Sequence, residues 1–163
     1  MENYSSDSSD SDSQNKTLDY SHLTLNSPDL FNSVEQFAKS EKKSIQNVDV
    51  LVLHHNQLTT LPVNINKFNN LRVLDVSSNG LTTFPEVLFE CPLVSIIAKN
   101  NNLNDESFPK SFSAFSNLKE LNLNGNNLTS IPAQLLEVES LKYLYLGANK
   151  IREISKGICK LRA

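Results

Sequence analysis

From residue 48 onward the apolar positions of the chain follow one spacing, apolar-x-x-apolar-x-apolar-x-x-Asn-x-apolar, written five times. The copies are VDVLVLHHNQL (48–58), LRVLDVSSNGL (71–81), LVSIIAKNNNL (93–103), LKELNLNGNNL (118–128) and LKYLYLGANKI (141–151). Their asparagines, Asn56, Asn79, Asn101, Asn126 and Asn149, are separated by 23, 22, 25 and 23 residues. Self-similarity at this period predicts a solenoid, in which no repeat buries its apolar face alone and each coil completes the core of its neighbour. The expected fold class is an α/β solenoid with a parallel concave sheet.

Within a copy the alternation is that of a short strand. Leu51 and Leu53 point one way, into the solenoid, and the side chains between them point outward. The chain must then turn sharply with backbone groups inside, and a buried asparagine amide can both donate to and accept from neighbouring coils. The five asparagines are therefore expected to form a structural ladder. Leu61-Pro62, Phe84-Pro85 and Ile131-Pro132 begin the convex side, where proline suits an irregular or short helical segment. The third copy reaches Phe108-Pro109 late, with about two extra residues near Asp105 and Glu106, as its longer period shows. That insertion is expected to bulge outward as a loop.

The ends depart from the pattern. Residues 1–16 are a serine- and aspartate-rich tract too polar to form a core, expected to be a disordered acidic tail, with Ser9 a candidate phosphorylation site. Residues 17–45 read as an N-terminal cap. TLDYSHLTL imitates a strand and turn, with Leu18 and Tyr20 inward but Leu23 in the asparagine place. It is followed by an amphipathic helix with Ser27 as N-cap, Pro28 at the first helical position and Leu30, Phe31, Val34, Phe37 and Ala38 on one face. Residues 46–163 hold the five repeats. IREISKGICKLRA stops where a further strand is due, so the C-terminal cap is expected to be missing, with Ile151, Ile154, Ile158 and Leu161 exposed. Self-association through that uncapped edge is the expected consequence.

Composition narrows the partners. Of the formal net charge of −3, all is carried by Glu2, Asp7, Asp10 and Asp12 against Lys16. A balanced remainder disfavours nucleic acid and anionic lipid, and no apolar run is long enough to span a membrane. The N-terminus has neither the basic nor the apolar region of a signal peptide, and Cys91 and Cys159 lack the clustered spacing of a disulfide framework. Cytoplasmic localisation is the expectation. There is no tryptophan, and aromatic residues make up 7% of the chain, so aliphatic side chains must fill most of the core.

Chemistry is expected on the concave face. Its outward rows are Val50, Val52 and His54; Val73, Asp75 and Ser77; Ser95, Ile97 and Lys99; Glu120, Asn122 and Asn124; and Tyr143, Tyr145 and Gly147. Five rows at about 4.8 Å spacing suit a protein or peptide rather than a small molecule. Tyr143 and Tyr145 lead as anchors, because tyrosine supplies large contact area at low entropic cost. Convex positions such as Lys67 are expected to be indifferent. No nucleophile elbow, phosphate loop or CxxC pair is present, so no catalytic residue and no cofactor is assigned. His22 and His55 fall in one column beside His54. Neutral imidazoles there could hold zinc, but a fourth ligand is unidentified, Asp75 lying a diagonal step away, and surface histidines beside the cap are the plainer reading.

The strings LDVSSNGLTTFPEVL, AKNNNL ahead of the extended FPKSF, LNLNGNNLTSIPAQLLE and LYLGANKIREI resemble the cytosolic leucine-rich-repeat proteins with periods near 23. The likeness extends over roughly residues 17–161. It implies a curved right-handed superhelix and a non-enzymatic intracellular adaptor or scaffold that binds a protein partner, including the kind that presents substrates to a ubiquitin ligase.

Overall fold

The computed structural model describes residues 16–40, 45–154 and 157–158. The acidic tract with Ser9, and Cys159 and Leu161 near the other end, lie outside the described residues. Six short strands form one parallel sheet in chain order: β1 (Lys16–Asp19), β2 (Val48–Val52), β3 (Val73–Asp75), β4 (Ser95–Ile97), β5 (Glu120–Asn122) and β6 (Tyr143–Tyr145). Each parallel step needs a crossover. A helix, α1 (Ser27–Ser40), makes the first, and 3-10 turns at Val63–Lys67, Glu86–Glu90 and Ala133–Glu137 lie on three of the others. A coil of about 23 residues is too short for a long helix plus two loops. Pro62, Pro85 and Pro132 open the 3-10 turns at φ −72°, −79° and −57°, the narrow range that the proline ring imposes.

The core is a stack of equivalent side chains. Register aligns Leu18, Leu51, Leu74, Ile96, Leu121 and Leu144 across the sheet. The four inner ones are completely buried, whereas Leu18 and Leu144, on the end strands, are only partly covered. Burial thus depends on having a coil on both sides. On the convex side of the third coil, which carries no 3-10 turn, Phe108, Phe112 and Phe115 pack with Phe84 and Phe89 at centroid distances between 4.7 and 6.3 Å. Five of the chain's eight phenylalanines thus pack together on the convex side around that wider coil.

The asparagines lie where the chain turns out of each strand. Asn101 is typical: its Oδ1 accepts the Leu81 N–H at 3.0 Å, and its Nδ2 donates to Val76 O at 3.0 Å and Ala98 O at 3.1 Å. Leu81 and Val76 belong to the preceding coil and Ala98 to its own. Asn79, Asn126 and Asn149 repeat the arrangement, and Asn56 accepts from both Leu23 and Leu25 in the β1 coil. Each amide therefore satisfies groups of the coil before it. The residue ahead of each one, Ser78, Asn100, Gly125 and Ala148 among them, has positive φ. At Gly125 (φ +69°) a Cβ would stand 2.2 Å from Asn100 Oδ1, so a larger residue there would have to displace the Asn100 side chain.

Three expectations need correction. The cap of α1 is Asn26, not Ser27: Asn26 Oδ1 accepts the Asp29 N–H at 2.9 Å and the Asp29 carboxylate reaches back to the Asn26 N–H. The Ser27 hydroxyl is instead engaged with the next coil, donating to Thr60 O at 2.7 Å and accepting from the N–H groups of Thr59 and Thr60. Phe31 is exposed, because the buried line of α1 runs through Leu30 and Val34. On the convex side, Lys67 pairs with Glu35 of α1. That ion pair, followed by a bond from Asn64 Nδ2, holds the Glu35 carboxyl below its ordinary range.

The insertion in the third coil is not a free bulge. Asp105 accepts from the N–H and hydroxyl groups of both Thr129 and Ser130 in the next coil, while the Ser107 hydroxyl donates to Thr82 O and the Ser107 carbonyl accepts the Phe84 N–H in the previous one. The extra residues therefore clamp three coils together. Burial works against the charge of Asp105, but these hydrogen bonds outweigh it and hold the carboxyl below its ordinary range.

Two outcomes follow. Asn101→Ala removes an acceptor from Leu81 and donors from two buried carbonyls, at about 1–3 kcal/mol per orphaned group. Asn124→Ala, whose buried Oδ1 has no hydrogen-bond partner, should leave stability unchanged or slightly raised. Equal chemical-denaturation midpoints for the two variants would contradict the ladder. For Asp105, the folded carboxyl is more acidic than the unfolded one. Its contribution is complete at neutral pH and is lost as pH falls below about 4 through the folded value. Asp105→Asn should lower the melting temperature at neutral pH and converge with the parent chain near pH 2–3. Parallel melting curves across that range would contradict the clamp.

Candidate functional site

The sheet's register fixes which side chains share the concave face. One column runs Thr17, Val50, Val73, Ser95, Glu120, Tyr143 and the next runs Asp19, Val52, Asp75, Ile97, Asn122, Tyr145. The first row, Thr17 and Asp19, extends the five rows read from the repeat. It lies on the cap strand that TLDYSHLTL imitates, with α1 stretching the distance from Leu23 to Asn56 to 33 residues. Across six strands the face measures roughly 24 Å.

The second column alternates polar and apolar residues, and the polar ones also work locally. Asp19 Oδ1 accepts the Ser21 N–H at 2.8 Å, Asp75 Oδ1 the Ser77 N–H at 2.9 Å, and Asn122 Oδ1 the Asn124 N–H at 3.1 Å. Each closes the end of its strand, as short carboxyl and amide side chains do in turns. The bonds from Ser21, through its side chain and then its backbone, hold the Asp19 carboxyl below its ordinary range. Val52, Ile97 and Tyr145, on alternate strands, have no such task and are left as apolar contacts about 9–10 Å apart.

The outer members of the rows differ in access. Ser77 and Ser95 are buried, with Ser77 donating to Asp75 and Ser95 to Glu120, so neither is available to a partner in the way Lys99 is. His54 is half-buried beside His22 and His55. Tyr143 and Tyr145 are 58% and 42% exposed, the largest free rings of the face. Beside the face, at the entry to the strands, a shallow cleft is lined by Asp49, Arg72, Val94 and Lys119. Cys91 is buried under the convex side, and burial, reinforced by the charge of Glu90, pushes its thiol up to about 11, which leaves it unreactive.

Family descriptions match two stretches of the chain: "Leucine Rich repeats (2 copies)" at residues 116–156 and "Leucine Rich Repeat" at residues 70–91. The chain is built of leucine-rich repeats. It is similar to leucine-rich repeat-containing protein 58 of Xenopus tropicalis, 37% identical over 94 residues, which is 57% of this chain and 25% of that protein. The human protein of the same name is 34% identical over 92 residues, 55% of this chain and 25% of its own length. The match thus spans about a quarter of these curated relatives. Among solved structures, a leucine-rich-repeat protein of Leptospira interrogans superposes with a TM-score of 0.66 at 26% identity, covering 88% of this chain and 46% of that one. The leucine-rich repeat domain of APL1B gives 0.64 at 24% identity, covering 82% and 38%, and supports the fold alone. Leucine-rich-repeat solenoids are protein–protein interaction modules in general, and no helix among the described residues is long and apolar enough to cross a membrane.

Proposed function

We propose that this chain captures a protein partner on its concave face and acts as an adaptor or scaffold, binding rather than catalysing. The observation that carries the reading is the second column, where Val52, Ile97 and Tyr145 stand clear on alternate strands while Asp19, Asp75 and Asn122 are engaged in closing their own strand ends. A row of apolar contacts separated by polar, pre-positioned groups is the make-up of an interface with hot spots in a polar surround. Tyr143 beside Tyr145 enlarges the contact at the C-terminal end. Val50 and Val73 do so toward the N-terminal end, with His54, Lys99 and Glu120 supplying charge and hydrogen bonding around them. A free, buried thiol at Cys91 suits a reducing, cytoplasmic setting. The sheet's last strand, β6, pairs with β5 on one side, and its other edge is a second surface through which two copies of the chain would associate.

The test is a set of charge substitutions. Val52→Glu, Ile97→Lys and Tyr145→Glu should each weaken capture of a partner by roughly tenfold or more, with unchanged circular dichroism, as expected when an interface anchor is lost. Glu86→Lys, on the exposed convex side and away from the Glu35–Lys67 pair, is the control and should bind normally. Loss of binding with the convex change and not with the concave ones would refute the proposal.

A further inference from the structure

The turns that follow β1 and β2 bring the chain's three histidines to one place. His22 and His55 occupy equivalent positions in adjacent coils, each with left-handed backbone at φ 56° and 55°. Backbone bonds fix both turns: the His22 N–H donates to His54 O at 3.1 Å and the His55 N–H to Ser77 O at 3.0 Å. The His22 and His55 rings stack at 4.5 Å with planes 14° apart. His54 meets them edge-on at 5.0 and 4.9 Å. One nitrogen from each ring can be chosen so that all three lie within 4.8 Å of one another, and the Nδ1 atoms of His54 and His55 are 2.9 Å apart.

We propose that His22, His54 and His55 form a binding site for a divalent transition-metal ion of the zinc type, with a water molecule completing the tetrahedron. Zinc takes imidazole nitrogens at about 2.0–2.1 Å in tetrahedral geometry, which sets them about 3.3–3.4 Å apart. The separations in the cluster bracket that value, and the stacked His22 and His55 rings would have to turn toward a common point to bind. The His54 and His55 Nδ1 atoms share one hydrogen bond, so an ion bound there would displace that proton. His22 and His55 are exposed, which leaves the ion a path from solvent. Neither neighbouring carboxylate is free to join them: Asp75 accepts the Ser77 N–H and hydroxyl, and Asp19 accepts the Ser21 N–H.

The ion would tie the β1 coil, through His22, to the β2 coil, through His54 and His55. It would therefore secure the N-terminal end of the solenoid in addition to the Asn56 bonds, independently of what the concave face binds.

Isothermal titration of the full chain with zinc chloride, near neutral pH and with a non-chelating reductant, tests the site. One ion per chain is expected, with release on acidification because the ligands must be deprotonated. His22→Asn and His55→Asn keep a residue that tolerates left-handed backbone, so folding is preserved, and each should weaken binding by about tenfold or more. Cys91→Ser should leave it unchanged. Zinc should also raise the melting temperature of the parent chain and not that of the double histidine variant. Identical isotherms for the parent and the double variant, or binding abolished by Cys91→Ser alone, would overturn the proposal.

Discussion

The structure depends on one constraint: a chain that turns sharply at the end of every strand must leave no backbone group unpaired inside. In this solenoid a single carboxamide per coil meets it. Asn79, Asn101, Asn126 and Asn149 each accept the N–H of the leucine that ends the previous turn and donate to a carbonyl on either side. No apolar residue offers both functions, and a carboxylate offers only acceptors. Because every amide reaches backward, each coil completes the one before it. The same bonds fix the sheet's register, and the register decides which side chains face a partner. Fold and candidate interface are thus set by the same atoms.

The turn has a second requirement, a left-handed residue just ahead of the asparagine. Gly125 meets it without strain, whereas His22, His55, Ser78, Asn100 and Ala148 adopt it with a side chain attached. Such residues persist where surrounding bonds over-determine them. The ladder and strand bonds on either side do so here. At the N-terminal end this backbone requirement is also what stacks two imidazoles, so a structural demand of the repeat generates the candidate metal site.

Much of this was legible in the sequence because the repeat states it several times over. The period predicted the ladder positions, the inward leucines and the outward columns, and the structure's register places Val50 beside Val73 and Val52 beside Asp75 as the alignment does. What the sequence concealed are contacts between residues that do not recur. Ser27 and Asn26 are both good helix caps, and only the nearness of Thr59 and Thr60 decides which one is drawn away. Asp105 looks like loop filler until Thr129 and Ser130 are seen beneath it. The double duty of Asp75 and Asn122 was hidden for a different reason. A side chain that points to the concave face can still turn back onto its own backbone two residues on, which alternation does not reveal.

The central claim is that buried asparagine amides hold successive coils together, and native-state hydrogen exchange tests it residue by residue. The N–H groups of Leu58, Leu81, Leu103 and Leu128 leave regular secondary structure but donate to ladder oxygens at 3.0 to 3.1 Å. They should be protected as strongly as an amide bonded coil to coil through the backbone alone, such as Leu53 just after β2, which donates to Asp75 O at 2.7 Å. If those four exchange as fast as amides of exposed turns while Leu53 stays protected, the ladder does not hold the coils together.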